Sequence, residues 1–253
     1  MIRLAAIADL HCVESTCGML SPAWSTLHEV ADVFLIGGDL TTTGTPREAA
    51  VLARELEAVQ IPVVAVLGNH DYHTGNEAAV RGVLEAQGVA VLEGECRSFK
   101  VGGETLGVAG TKGFGGGFAG ACGSDFGEPE MKQYVRHSVE MAERLRNVMR
   151  SLDADYRVLL MHYSPIDTTL RGEPLPIYPF LGSYLFAEVA DEAGVDLVLH
   201  GHAHHGSEKG VTPGGIPVRN VALPLIRNAF HVFHLQHAES SLPFPREHAA
   251  HTE

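Results

Sequence analysis

Five short blocks of this sequence bring carboxylate, imidazole and amide side chains together, and each directly follows an apolar run. The most compact is Gly68-Asn69-His70-Asp71, after the run Val63–Leu67. Alone, this block fits a polar turn equally well, because Gly, Asn and Asp are common turn residues. Three polar side chains at the end of a buried strand are costly, however, unless a ligand uses them. The other four blocks are Asp9-x-His11, Gly38-Asp39, His162 and Gly201-His202-x-His204.

The apolar runs before the blocks are typical of strands that are buried on both faces. A helical pattern follows each of the first three runs, at 21–29, from the capping residue Thr45 onward, and at 77–87. This alternation predicts a parallel sheet with right-handed crossovers. Ligands of such sheets bind beyond the carboxyl ends of the strands, so the blocks should meet in one site. The predicted strands are 2–8, 33–36, 62–67, 157–161 and 195–199.

The second half of the chain predicts antiparallel strands and irregular segments. Gly102-Gly103 indicates a hairpin between strands at 98–101 and 105–109. From Gly110 to Gly127 there are eight glycines, which indicates either a mobile surface loop or a lid over the site. The remaining predicted elements are helices at 135–152 and 184–193, a proline-rich loop at 168–180, and strands at 216–221 and 229–235.

The composition argues against some partners. The formal net charge is −13, with 31 acidic and 18 basic residues, which disfavours nucleic acid or an anionic membrane surface as the main partner. An acidic protein that binds phosphate needs a local positive centre, which a metal ion can supply. The start of the chain lacks a signal-peptide pattern, and no apolar stretch is long enough to span a bilayer. We therefore expect a cytoplasmic protein with free thiols.

The chain length predicts one domain over 1–236. A disordered tail is expected over 237–253, where Pro243 and Pro245 stand among polar residues. The four cysteines show no Cys-x-x-Cys spacing. Cys12 lies beside His11, which raises the alternative of a metal ligand or a nucleophile, but a small buried side chain is the favoured interpretation.

The polar side chains at the strand ends suit metal binding. Carboxylate and imidazole together favour divalent zinc, manganese or iron. One such ion takes about four protein ligands or fewer, and the blocks offer more than that, so the number indicates two ions. Paired ions are used for in-line displacement at phosphorus. Asp39, at the end of an inner strand, is the candidate for a carboxylate that bridges them.

The blocks together resemble the calcineurin-like metallophosphoesterases. All five occur in the family order and span Asp9 to His204. The resemblance implies an α/β fold in which two mixed sheets pack face to face with helices outside, a four-layer α-β-β-α sandwich. It also implies two ligand sets that share one residue. One set would be Asp9, His11, Asp39 and His204, and the other Asp39, Asn69, His162 and His202.

The same resemblance carries a mechanism for phosphoester hydrolysis. A water molecule that bridges the ions would lose a proton near neutral pH and attack phosphorus. His70, which is not a metal ligand in this scheme, would protonate the leaving oxygen. Asp71 would accept a hydrogen bond from the other ring nitrogen of His70 and favour the imidazolium. His200 and His205 are expected to be structural or exposed.

The residues next to the blocks limit the class of substrate. Protein serine/threonine phosphatases of this superfamily carry Asp-Arg-Gly after the second block, whereas Asp39 is followed here by Leu-Thr-Thr-Thr-Gly. This pattern is more similar to small bacterial phosphodiesterases, including those that act on cyclic nucleotides. We therefore expect a small phosphodiester or phosphomonoester as substrate, and nucleic acid is not expected. The alternative is a scaffold that has lost catalysis and binds a protein, but scaffolds typically lack several ligands and none is missing here.

Overall fold

Two mixed β-sheets dominate the computed structural model, which describes residues 1–236. The expected disordered tail, 237–253, lies outside these residues. The strands are β1 (Ile2–Ile7), β2 (Val33–Gly37), β3 (Val63–Val66), β4 (Ala90–Val91), β5 (Glu95–Val101), β6 (Glu104–Thr111), β7 (Gly117–Phe118), β8 (Ala121–Cys122), β9 (Tyr156–Met161), β10 (Leu197–His200), β11 (Lys209–Val211), β12 (Pro217–Asn220) and β13 (His231–Leu235).

The α-helices connect these strands. They are α1 (Ser21–Trp24), α2 (Leu27–Val30), α3 (Pro46–Leu56), α4 (Glu77–Ala86), α5 (Pro129–Ser151), α6 (Tyr178–Leu181), α7 (Leu185–Ala193) and α8 (Leu223–Ile226). Helix α3 begins with the predicted capping box, in which Thr45 and Glu48 each accept a hydrogen bond from the other's backbone N–H at 3.3 Å. Across the described residues, none of the helices combines the length and apolarity that a membrane span requires.

The first sheet has the strand order β13-β1-β2-β3-β4, and the second has the order β11-β12-β10-β9-β6-β5. Strands β1 to β4 are parallel, while β13 is antiparallel to β1. In the second sheet β12, β10, β9 and β6 are parallel and the two edge strands are antiparallel to their neighbours. Because parallel strands end at the same edge, β1, β2 and β3 deliver their following loops together, as do β9 and β10.

Side-chain alternation along the strands builds the four layers. In β1, Leu4 and Ala6 face the second sheet and pack with residues such as Val158. Their neighbours Ala5 and Ile7 face the layer that contains α3 and α4. On the far side of the second sheet, α5 and α7 cover β9 and β10. The predicted sandwich of two mixed sheets is therefore confirmed.

Three predicted segments differ in detail. The single helix expected at 21–29 is wrong, because the Ser25 and Thr26 hydroxyls donate to the carbonyls of Pro22 and Ala23 and the chain forms the separate turns α1 and α2. Helix α5 begins earlier than predicted, at Pro129, a residue suited to a first helical turn. The glycine-rich segment is not wholly irregular, since β6 extends to Thr111 and β7 and β8 form a small hairpin.

Candidate metal centre

The five polar blocks meet at one edge of the sandwich. Loops that follow β1 and β2 run side by side, with Asp9 N donating to the Gly38 carbonyl and His11 N to the Asp39 carbonyl, each at 2.9 Å. The second sheet joins them where Ala8 N, directly after β1, donates to the Val221 carbonyl, directly after β12, at 2.9 Å. Backbone hydrogen bonds therefore fix the relative positions of these loops before any ligand is present.

Strained backbone marks the same loops. Among residues 1–236, the non-glycine residues with positive φ are Asp9, His11, Asp39, His202 and Arg227, and the first four belong to the polar blocks. Positive φ costs free energy in residues with a Cβ and tends to concentrate at functional sites. Here it turns the side chains of these four residues toward one point.

The side chains form two groups that share Asp39. One contains Asp9, His11, Asp39 and His204, and the other Asp39, His162 and His202, with the potential ligand atoms of each group within 4.8 Å of one another. The Asp39 carboxylate divides its oxygens between them. Oδ2 lies 3.7 Å from His11 Nε2, while Oδ1 lies 3.3 Å from His162 Nε2. The Asn69 amide oxygen joins the second group, 3.0 Å from His162 Nε2.

Two observations show that these residues fit metal ions. His11 Nε2 is buried and, within the described chain, has no hydrogen-bond partner, which leaves a nitrogen lone pair available to a cation. Gly68 allows the Asp39 carboxylate to approach the loop, because a Cβ at position 68 would collide with that carboxylate. Carboxylate, imidazole and amide donors in two groups suit a pair of borderline divalent ions.

The buried imidazoles differ in their affinity for protons. Burial opposes charge on His162, but the neighbouring Asp39 carboxylate outweighs it and raises the pKa of His162 to about 9. Burial likewise opposes charge on Asp39, yet contact with His162 and the His70 backbone N–H holds the pKa of Asp39 below its usual range. His202, by contrast, has its pKa lowered to about 3 by burial and the neighbouring His162 charge. His202 is therefore neutral near pH 7, whereas His162 carries a proton there.

Backbone carbonyls orient two histidines of the site. His162 Nδ1 donates to the Gly37 carbonyl at 2.9 Å, which directs Nε2 to Asp39. His70 Nδ1 donates to the Thr42 carbonyl at 2.7 Å. Its Nε2 lies 4.0 Å from Asp39 Oδ2, and the His70 side chain is 42 % exposed. The ring therefore lies next to Asp39 and remains partly open to solvent.

The hydrogen bond expected between Asp71 and His70 is wrong. The buried Asp71 carboxylate instead accepts four hydrogen bonds, from the backbone N–H groups of Leu40, Thr41 and Gly68 and from the Thr41 hydroxyl, at 2.6–3.1 Å. These donors saturate the carboxylate, so Asp71 ties the loop after β2 to the loop after β3. Sequence reasoning missed Thr42, because its contribution is a backbone carbonyl that no side-chain pattern reports.

Three further residues behave as their sequence context indicated. His200 is buried, and burial lowers its pKa to about 4. Its ring contacts Thr169 and Gly201 rather than the ligand groups, so its part is structural. His205 is exposed. Cys12 lies in the apolar core, where burial raises the pKa of its thiol to about 12, which disfavours the thiolate needed for metal binding or nucleophilic attack.

Comparison with known proteins agrees with this geometry. A family model described as calcineurin-like phosphoesterase matches residues 2–206. The chain belongs to this family. It is 23% identical over 173 residues to the uncharacterized protein YpbG of Bacillus subtilis (strain 168), a match that covers 68% of this chain and 50% of YpbG. The chain thus spans about half the length of this curated relative.

Solved structures share the fold. The phosphopantetheinyl hydrolase PptH from Mycobacterium tuberculosis superimposes with a TM-score of 0.67 at 15% identity, and the match covers 98% of each chain. A putative 5'-nucleotidase from Staphylococcus aureus gives a TM-score of 0.54 at 17% identity over 87% of this chain and 48% of its own. At these identities the likeness concerns the fold alone.

Proposed function

We propose that the protein is a phosphohydrolase that requires two divalent metal ions and cleaves a small phosphodiester or phosphomonoester. The observation that carries the proposal is the buried Asp39 carboxylate, which presents one oxygen to each of two ligand groups. A carboxylate placed in this way suits two ions a few ångströms apart, the arrangement used for displacement at phosphorus. Membership of the calcineurin-like phosphoesterase family supports the same reaction class.

Each ion would have four protein ligands. One would be held by Asp9, His11, Asp39 and His204, and the other by Asp39, Asn69, His162 and His202. When bound, the ions supply positive charge for the phosphate oxygens and lower the pKa of a water molecule. The mixture of carboxylate and imidazole donors suits manganese, iron or zinc.

His70 is the residue we assign to the leaving group. Its Nδ1 proton is committed to the Thr42 carbonyl, so a proton can be transferred only at Nε2. That atom lies near Asp39 but on a side chain that remains partly open to solvent. The carbonyl keeps the ring in place while Nε2 donates a proton to the departing oxygen. Asp71 supports this step indirectly, by holding together the loops that carry Asp39 and His70.

The proposed substrates are small phosphoesters. A net charge of −13 disfavours a polynucleotide, whose binding needs many basic contacts. The shared fold of the phosphopantetheinyl hydrolase and the putative 5'-nucleotidase makes phosphopantetheine esters and nucleotides reasonable candidates beside cyclic nucleotides. All four cysteines are free thiols, which supports our proposal of a reducing, cytoplasmic location.

A scaffold that binds a protein without catalysis is the competing function. Such a role places no demand on the metal-binding side chains. The complete ligand groups, with four strained backbone positions and the orphan His11 nitrogen, argue against it, because a protein-binding scaffold would gain nothing from them.

The test is hydrolysis of bis(p-nitrophenyl) phosphate by protein that has been stripped with a chelator and reloaded separately with Mn²⁺, Fe²⁺, Zn²⁺, Co²⁺ or Ni²⁺. We expect turnover with at least one metal and none in the chelator. Asp39→Asn, which keeps the side-chain shape but removes the shared charge, should abolish activity. Absence of turnover with all five metals would reject the enzyme in favour of the scaffold. A panel of cyclic nucleotides, nucleotides and phosphopantetheine esters then identifies the substrate.

A further inference from the structure

A buried lysine lies beside the metal centre and has few partners. Lys112 directly follows β6 and is only 8% exposed. Its ammonium group carries three N–H donors. Within residues 1–236, the ammonium group makes a single hydrogen bond, to the Gly113 carbonyl at 3.3 Å, and forms no ion pair. A buried ammonium group with unpaired N–H donors lowers the stability of the fold. Its presence here therefore suggests a function.

Aromatic rings surround the ammonium and explain part of its stability. Lys112 Nζ lies 5.0 Å from the ring centroids of Tyr72 and Phe114 and 5.3 Å from that of Tyr163. Cation–π attraction offsets some of the desolvation. It does not replace hydrogen bonds, because a ring face offers no lone pair and, among the described residues, neither tyrosine hydroxyl accepts a hydrogen bond from Nζ. We refer to these three rings as the Lys112 cage.

The cage is built from the loops of the metal centre. Tyr72 follows His70 and Asp71, and Tyr163 follows the ligand His162. The Tyr163 ring centroid is 4.3 Å from that of His202, so one aromatic ring contacts both Lys112 and a metal ligand. Burial lowers the pKa of Lys112, while the Glu93 and Asp39 carboxylates favour its charged form. The Tyr163 ring thus connects the ammonium to the ligand groups, and the Asp39 carboxylate is close enough to favour its charge.

A cleft opens at the cage and has room for part of a ligand. Its volume is about 390 Å³, and its lining includes Tyr72, Lys112, His137 and Arg144. Two carboxylates, Glu93 and Glu140, also line it. That of Glu93 already accepts hydrogen bonds from the Thr111 hydroxyl, at 2.9 Å, and from the Lys112 backbone N–H. In this cleft, the buried Lys112 ammonium group is the donor whose N–H groups are not all hydrogen-bonded.

We propose that Lys112 binds an anionic group, a phosphate or a carboxylate, that the substrate carries in addition to the scissile phosphoester. The inference rests on the proposed function, since it assumes that the scissile group occupies the metal centre. It narrows the substrate class to phosphoesters that carry a second negative group. The anion supplies the acceptors that the cage lacks, and the cage holds the long side chain in place for binding.

The test compares three phosphodiesters that share a p-nitrophenyl leaving group and differ in the other ester arm. The arm ends in a methyl group, a carboxylate or a phosphonate. We expect the wild-type enzyme to favour an anionic arm about tenfold in kcat/KM, and Lys112→Met to reduce that ratio to about one. Lys209→Met is the matched control, because Lys209 is exposed on β11, at the opposite edge of the sheet from β6, and should keep the wild-type ratio.

Binding measured without turnover separates this inference from the proposed function. Calorimetry with propane-1,3-bisphosphonate and propylphosphonate should give the same preference, again removed by Lys112→Met. Preference for the phosphonate arm over the carboxylate arm identifies phosphate as the anion, and the reverse identifies a carboxylate. Hydrolysis of the methyl-arm ester without any anion preference, or a preference that survives Lys112→Met, overturns the inference and leaves the proposed function intact.

Two further outcomes are covered by the same measurements. If no ester is hydrolysed, the proposed function fails, and the bisphosphonate affinity ratio alone decides the role of Lys112. If Lys112→Met does not fold, as judged by circular dichroism, the role of Lys112 is tested by comparing the anion preference of Lys112→Arg with that of the wild-type enzyme. Arginine keeps the charge and the ring contacts, so it should retain the preference; loss of preference in a folded Lys112→Arg contradicts an electrostatic role.

Discussion

His70 differs from the other imidazoles of the site in how its two ring nitrogens are used. The Thr42 carbonyl accepts a hydrogen bond from Nδ1, and Nε2 lies 4.0 Å from Asp39 Oδ2. A metal ligand would be expected to lie within one of the two ligand groups, yet His70 belongs to neither. Its placement fits the proposed role of a proton donor better than that of a metal ligand.

Replacement of His70 by alanine should therefore slow the reaction without releasing metal. We expect a rate loss of roughly 10²–10³-fold for an alkyl phosphoester, whose leaving oxygen needs a proton, and less than about tenfold for a p-nitrophenyl ester. The measurement is kcat for a series of leaving groups, with metal content determined by elemental analysis. His73→Ala, which alters an exposed histidine in the same turn, is the control. An equal loss across the series would rule out His70 as the acid.

His162 links metal binding to pH. Its pKa is about 9 in the metal-free protein, because the attraction of Asp39 outweighs the effect of burial. A group with a raised pKa stays protonated below that value, so a metal must displace its proton. Apparent metal affinity should therefore rise about tenfold for each pH unit between pH 7 and pH 9, and then level off. Calorimetry in buffers of different ionisation enthalpy should detect the released proton at pH 7.5, and an affinity independent of pH would contradict the prediction.

At the scale of elements, glycines let the loops approach one another. Gly68 ends the apolar run that contains β3. Its Cα lies so close to the Asp39 carboxylate, after β2, that no Cβ would fit between them. Asp71 then binds both loops through Thr41 and the Gly68 N–H. The metal-binding geometry thus depends on contact between two loops, and a single added methyl group at position 68 would separate them.

Gly68→Ala should weaken metal binding by roughly 10–100-fold. Gly68 does not have a positive φ, so the effect comes from the collision of the new Cβ with Asp39 and not from backbone strain. Gly82→Ala is the matched control, because nothing lies within 4 Å of a Cβ at that position in α4. The control should stabilise the protein by about 0.5–1 kcal/mol and leave metal affinity unchanged. Equal affinities for the two variants, measured by metal titration, would show that the loop contact is unimportant.

The elements that the sequence predicted well are those dictated by buried apolar runs. Strands β1, β2, β3, β9 and β10 needed only hydrophobic continuity to be located, and their parallel order placed the following polar residues at one edge. The partner of Asp71 was not predictable in this way. Two of its hydrogen bonds come from backbone N–H groups that lie 31 and 30 positions away in the sequence, and their direction depends on the folded loop. The break at Ser25 similarly depends on local hydroxyl bonds that compete with a helical pattern.

At the scale of the whole molecule, the two sheets meet through apolar side chains, and the metal centre would add a polar connection at one edge. Asp9, His11, Asp39 and Asn69 follow strands of the first sheet. His162, His202 and His204 follow strands of the second. Each proposed ligand set takes residues from both sheets, so each ion would connect the sheets across the end of the core. Metal binding should consequently stabilise the fold as a unit.

Removal of the metals should therefore lower the melting temperature of the whole domain. Free metal at a hundred times its dissociation constant stabilises a folded protein by about 2.7 kcal/mol for each site, which for a domain of this size corresponds to roughly 5–10 °C per ion. Scanning calorimetry with Mn²⁺ and with a chelator measures the difference. Asp39→Asn should lose most of it, since the substitution removes the carboxylate shared by both ligand sets. If the variant keeps the full shift, the ions act elsewhere on this acidic protein, because its 31 acidic residues offer other weak sites for a divalent cation.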